Sequence, residues 1–127
     1  IFNEDMIYAA RLLKSGGTLA YCADARVLHS HCYTPAQQFH RNFDLAVSQA
    51  EHPEIFGDIK SESEGIRLVR RTARFLKRQG EARVLPRLFA LSAAKYCGYA
   101  LGKRYRLLPK WLRARCTMNR SYWESIG

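Results

Sequence analysis

The chain has 127 residues, 47% hydrophobic and 25% charged, the composition of a globular protein able to bury one core. No signal peptide is visible, and no stretch of roughly 18 residues is free of charge, which argues against a spanning helix. The net charge of +10 is unevenly spread: residues 1–59 carry four Lys+Arg against seven Asp+Glu, and residues 60–127 carry 17 against four.

The chain opens at Ile1, directly ahead of a helix signal, so a longer sequence preceding it is expected. Asn3 followed by Glu4 and Asp5 reads as a helix start, where an N-cap side chain and early carboxylates satisfy orphan amides and the helix dipole. Met6, Ala9, Ala10 and Leu13 then recur at helical spacing, predicting a helix over residues 4 to about 14, ended by Gly16-Gly17. Residues 18–22 and 26–29 are short strand candidates. Thr34-Pro35-Ala36-Gln37 has the form of a capping box with Pro at the first helical position. Phe39, Phe43, Val47 and Ala50 form the stripe of this second helix, which His52-Pro53 closes.

Residues 53–62 read as a loop. A third helix, capped by Ser61 or Ser63, turns Ile66, Val69, Ala73 and Leu76 inward, and Gly80 stops it. Its outward face holds Arg67, Arg70, Arg71, Arg74, Lys77 and Arg78. A fourth helix runs from about 84 to 101, with Pro86 in its first turn and Gly102 at its end. A short fifth follows Pro109. The cysteines, at 22, 32, 97 and 116, make no Cys-x-x-Cys pair and no zinc spacing, so buried, reduced thiols are expected.

Two clusters carry possible chemistry. The positive end of a helix favours ionised carboxylates, which suits Glu4 or Asp5 to proton acceptance. On an extended strand, His29 and His31 would share a face. Together they outline one wall of an active site. Taken alone, these residues favour the plainer reading of a helix cap and a polar turn.

The segments from Asn3 to Leu12, Val27 to Thr34 and Gln37 to Asp44, taken in that order, resemble the C-terminal part of bacterial family 2 glycosyltransferases. The likeness is to the rhamnosyltransferase-like members that build surface polysaccharides. The basic stretches Lys95 to Lys103 and Leu108 to Leu112 are similar to the tails of such proteins.

The resemblance implies an α/β fold: the C-terminal fragment of a GT-A, nucleotide-diphospho-sugar transferase, domain. The piece itself should be mostly α-helical with one or two short strands, its residues 1–59 ending the catalytic domain and 60–127 forming a basic helical tail. It should be inactive alone. The implied reaction is an inverting transfer of a sugar such as rhamnose from a nucleotide-diphosphate donor to a saccharide or lipid-linked acceptor. Asp5 maps to the base that takes the acceptor proton, with Glu4 as a supporting acid. A divalent metal, Mg²⁺ or Mn²⁺, is implied, with His29 as ligand and His31 as the alternate. Gln38 and Arg41, three apart on one helix face, resemble part of a Gln-x-x-Arg-Trp element and would contact the sugar and the diphosphate. Asn42 stands where that element has Trp, which removes a stacking platform and argues against processive synthesis.

The fourth helix is mostly apolar with basic flanks and tyrosines, which fits either an interfacial helix on an anionic membrane or a plain core helix. The resemblance thus places the protein in the cytoplasm, at the inner face of the membrane if the tail binds lipid. The competing reading is a non-enzymatic basic module binding anionic membrane or RNA. No RNA-binding motif is recognisable.

Overall fold

Thr34 and Gln37 start the helix on which the rest of the chain is assembled. In the computed structural model, which describes residues 2–29, 31–57 and 61–126, Thr34 Oγ1 accepts from the Gln37 amide at 3.2 Å and Gln37 Oε1 accepts from the Thr34 amide at 2.9 Å. This reciprocal box satisfies two orphan donors, and Pro35 follows at the first helical position. The helices are α1 (Glu4–Lys14), α2 (Pro35–Glu51), α3 (Pro53–Phe56), α4 (Ser61–Arg78), α5 (Leu85–Lys103), α6 (Lys110–Cys116) and α7 (Arg120–Ile126). Single 3₁₀ turns at Ala82–Val84 and Tyr105–Leu107 lead into α5 and out of it towards α6.

Helix α2 is covered on several sides at its centre, where Phe43, Asp44, Ala46, Val47 and Ser48 are all buried. Helix α5 lies along one side and runs in the same direction: Gly98 abuts the Phe39 carbonyl, Gly102 the Phe43 carbonyl, and the Tyr105 hydroxyl reaches Glu51 at 3.3 Å. The segment before α1 covers a second side, with Ser48 Oγ donating to the Phe2 carbonyl at 2.6 Å. The junction between α6 and α7 closes a third. There Asp44 accepts from the Thr117 hydroxyl at 2.6 Å and the Met118 amide at 2.8 Å, and His40 Nδ1 donates to the Cys116 carbonyl at 2.8 Å. The core of Phe43, Val47, Tyr105 and Cys116 therefore joins residues from both sides of the charge boundary at residue 59.

Several expectations change. No strand is present among the described residues: 18–22 and 26–29 are irregular, with Tyr21 95% and Leu28 104% exposed. A strand needs a neighbour to receive its backbone groups, and both segments are exposed throughout. Asn3 does not cap α1 with its side chain. Its φ of 64° turns the backbone left-handed, and its amide instead donates to the Leu45 carbonyl at 3.2 Å.

The expected loop after His52 begins with α3, because burying Phe56 to 2% exposure folds that turn back on itself. Ser61 is the first residue of α4, and residues 58–60 lie outside the described part. Gly102 does not end α5 but sits inside it, at a close approach to α2. Met6, Leu13 and Ile66, expected to face inward, are about half exposed. Cys116 is buried, as expected, whereas Cys22, Cys32 and Cys97 are exposed, and all four are free thiols. Helix α7 had no counterpart among the expected elements.

Candidate active site

Arg41 lies on the half-buried face of α2, with its guanidinium 5.0 Å from the Phe2 ring centroid and 5.5 Å from that of Tyr33. A planar cation between two rings is held by their negative faces and loses little hydration. Phe2 leads into Asn3, Glu4 and Asp5, and the Phe2 carbonyl and Asn3 amide are tied to α2 through Ser48 and Leu45. Tyr33 stacks on His31 at 5.1 Å, and His31 meets His29 edge to face at 4.3 Å. A continuous series of ring contacts thus links His29, His31, Tyr33, Arg41 and Phe2, and Phe2 leads along the chain into the carboxylates of α1.

Glu4 and Asp5 are exposed in the first turn of α1. Asp5 Oδ1 accepts from the Met6 amide at 2.8 Å, so the carboxylate is oriented by the helix start and open to solvent. His29 and His31 are exposed and paired without the strand expected to align them. Among the described residues, no three His, Cys, Asp or Glu come together that could hold a metal. The histidines can supply one or two nitrogens to a metal, not a full ligand set.

Gln38 is more restrained than its position suggested. Its carbonyl and side-chain Oε1 both accept from Asn42 Nδ2, at 2.7 and 3.3 Å. Asn42 also lines a cleft of about 360 Å³ between α4 and α5, floored by Ile66, Val69 and Leu88.

Phe2 and Tyr33 escaped the sequence reading as site residues, although both are aromatic and flank the two motifs. Asp44 escaped it too. Burial pushes its carboxyl above the usual carboxylate range, against the pull of the Thr117 and Met118 hydrogen bonds. Its visible signal was a carboxylate set directly beside the apolar stripe, at Phe43. It fastens the α6–α7 junction to α2 and touches no open surface.

The arrangement offers an imidazole pair and a ring-held guanidinium along one run of contacts, with the exposed Asp5 carboxylate a short way along the chain from Phe2. The chain is similar to O-antigen chain rhamnosyltransferases. One of these, WbaN of Salmonella anatum, is 41% identical over 127 residues, covering 99% of this chain and 40% of the relative. Another, RfbN of Salmonella typhimurium, is 39% identical over the same share of each. The chain therefore spans well under half the length of these curated relatives. No family model matches the chain, and no solved structure matches it.

Proposed function

We propose that this chain is the C-terminal part of an inverting glycosyltransferase that moves rhamnose from a nucleotide-diphosphate donor to a saccharide or lipid-linked acceptor in surface-polysaccharide synthesis. The observation that carries this reading is identity of 41% and 39% to two named rhamnosyltransferases, sustained over 99% of the chain. The family 2 assignment and the GT-A fold rest on the motif resemblance and are part of the same proposal.

In this reading Asp5 takes the proton of the acceptor hydroxyl as that oxygen attacks the anomeric carbon, while the diphosphate leaves from the opposite face. A carboxylate suits the task, because the hydroxyl becomes acidic only as the new bond forms. Glu4 keeps the local field negative and favours the developing positive charge on the sugar. Arg41, held between Phe2 and Tyr33, turns its remaining N–H donors to the diphosphate, where charge accumulates. Gln38, braced by Asn42, contacts the sugar or acceptor with its amide nitrogen. A bound Mg²⁺ or Mn²⁺ would offset diphosphate charge, with His29, or His31 in its place, as one ligand.

The test is transfer of rhamnose by the full-length protein and by its Asp5→Asn variant. Asn keeps the shape and the oxygen that accepts from Met6, but not the basicity. Turnover should fall by roughly 10²–10⁴ while donor binding holds. Transfer by the variant near the wild-type rate would remove Asp5 from its role.

A membrane-surface role for the basic half belongs to the same reading, with the protein working at the cytoplasmic face. Among the described residues no helix is long and apolar enough to cross a membrane. The exposed bases Arg67, Arg70, Arg71 and Arg74 of α4, interleaved with exposed Leu68 and Phe75, favour contact with an anionic surface.

A further inference from the structure

At the C-terminal end of α2, the 3₁₀ turn at Tyr105, α6 and α7 border a solvent-open cavity of about 440 Å³. Its volume is that of a small-molecule site. Arg106, Lys110, Arg113 and Arg120 line it, against two carboxylates, Glu51 and Glu124. Glu51 is already engaged, accepting from the Tyr122 hydroxyl at 2.9 Å and the Tyr105 hydroxyl at 3.3 Å. Among the described residues, none of Arg106, Arg113 and Arg120 forms an ion pair.

Two of these guanidinium groups are held in place. The carbons of Arg106 and Arg113 both lie 5.7 Å from the Tyr105 ring centroid, and Arg113 lies 5.7 Å from that of Trp123 as well. Arg113 Nε donates to the Leu108 carbonyl at 2.8 Å and its Nη2 to the Arg106 carbonyl at 3.1 Å. Arg106 Nε donates to the Tyr105 hydroxyl at 3.2 Å. These bonds use two of the five N–H donors of Arg113 and one of those of Arg106. The fold thus gathers like charges over one ring and orients them with donors to spare. Such a cluster, in a concavity with an aromatic wall, is complementary to a compact anion carrying an organic group.

We propose that this cavity binds a phosphate or diphosphate ester, its phosphoryl oxygens taken by Arg106, Arg113 and Arg120 and its organic part lying against Tyr105 and Trp123. Guanidinium forks match phosphoryl oxygens pairwise, which a single carboxylate or chloride would use less fully. The site is separate from the α1 carboxylates and does not rest on the catalytic reading. Arg41 and Glu51 are ten residues apart on α2, about 15 Å along its axis.

The phosphoryl group could come from a soluble ligand or from a lipid headgroup, and two probes separate these sources. The full-length protein is labelled with 5-fluorotryptophan, and the Trp123 resonance is identified by its loss in Trp123→Phe. Inorganic pyrophosphate is titrated in one arm and dihexanoyl phosphatidic acid in the other. Saturable movement of the Trp123 signal is expected, with the soluble or the lipid source identified by the probe that acts at lower concentration. Arg120→Gln, at an exposed side chain, should weaken that response by about tenfold, the loss of one charge-assisted hydrogen bond. Arg11→Gln, at an exposed position on α1, should leave it unchanged. A Trp123 signal that neither probe moves, or that moves alike in Arg120→Gln and the parent, overturns the proposal.

Discussion

Tyr122 donates to both carboxylate oxygens of Glu51 at 2.9 Å, and burial together with this bond pushes its hydroxyl up to about 12 from an ordinary 10.0. A proton held more tightly by the folded than the unfolded chain stabilises fully below pH 10.0, and that contribution is lost as pH rises towards about 12. Tyr122→Phe should therefore lower stability at neutral pH and flatten its fall across that alkaline window. Urea midpoints of the two proteins should converge as the window is crossed. A constant difference would detach Tyr122 from the alkaline loss. At the other end of α2, His29→Ala in the full-length protein should weaken metal-dependent nucleotide-diphosphate binding more than His31→Ala does, as read by calorimetry with Mn²⁺. The reverse order would give the ligand role to His31, whose ring is engaged by Tyr33. At this scale the sequence was legible where a residue acts locally, as Thr34 and Gln37 do. It was opaque where a side chain reaches across the fold: Asn3 to Leu45, and Asp44 to Thr117, 73 residues away.

Helices were readable from their spacing and caps, so α1, α2 and α5 begin near where the pattern placed them. The failures have definite causes. Residues 18–29 carry apolar side chains in short runs, but pairing is a property of two strands and a single segment cannot show it. Gly102 resembled a helix stop because a C-terminal glycine and a glycine at a helix crossing look alike in sequence. Their consequences for stability differ in sign. Ala stabilises a helix interior by about 1 kcal/mol relative to Gly. At Gly102 the added Cβ would run into the Phe43 carbonyl and come within 2.8 Å of Ala46 Cβ. These are fixed atoms of α2, and forcing the helices apart costs about 1–3 kcal/mol on top of the lost packing. Gly65 in α4 has nothing within 4 Å of such a Cβ. Gly102→Ala should thus lower the urea midpoint, and Gly65→Ala should raise it by the equivalent of about 1 kcal/mol. If Gly102→Ala also stabilises, α5 does not approach α2 as closely as described.

Across the whole molecule, the division of charge at residue 59 does not coincide with a division of packing. Helix α5 gives one face to α2, so the apolar helix that sequence offered as a membrane-lying element is partly spent on the core. The basic surface left outside is mainly that of α4, where Arg67, Arg70, Arg71, Arg74, Lys77 and Arg78 are all exposed. Leu68 and Phe75, 65% and 59% exposed, lie one heptad apart on the same side, with Arg71 between them. An anionic bilayer could take the guanidinium groups at headgroup level and the two apolar side chains below them. Each base near the surface contributes about 1 kcal/mol, so Arg70→Glu, Arg71→Glu and Arg74→Glu together should weaken binding by at least about 100-fold. The chain should co-sediment with vesicles containing phosphatidylglycerol and hardly with phosphatidylcholine alone. Because charges are screened beyond about 10 Å at 0.1 M salt and about 3 Å at 1 M, binding should fall steeply across that range. The apolar share from Leu68 and Phe75 should survive the salt, leaving a small residual that Phe75→Ser reduces. Equal binding to both vesicle types, or a triple variant that binds like its parent, would return α4 to the role of a solvated face over the α5 contact.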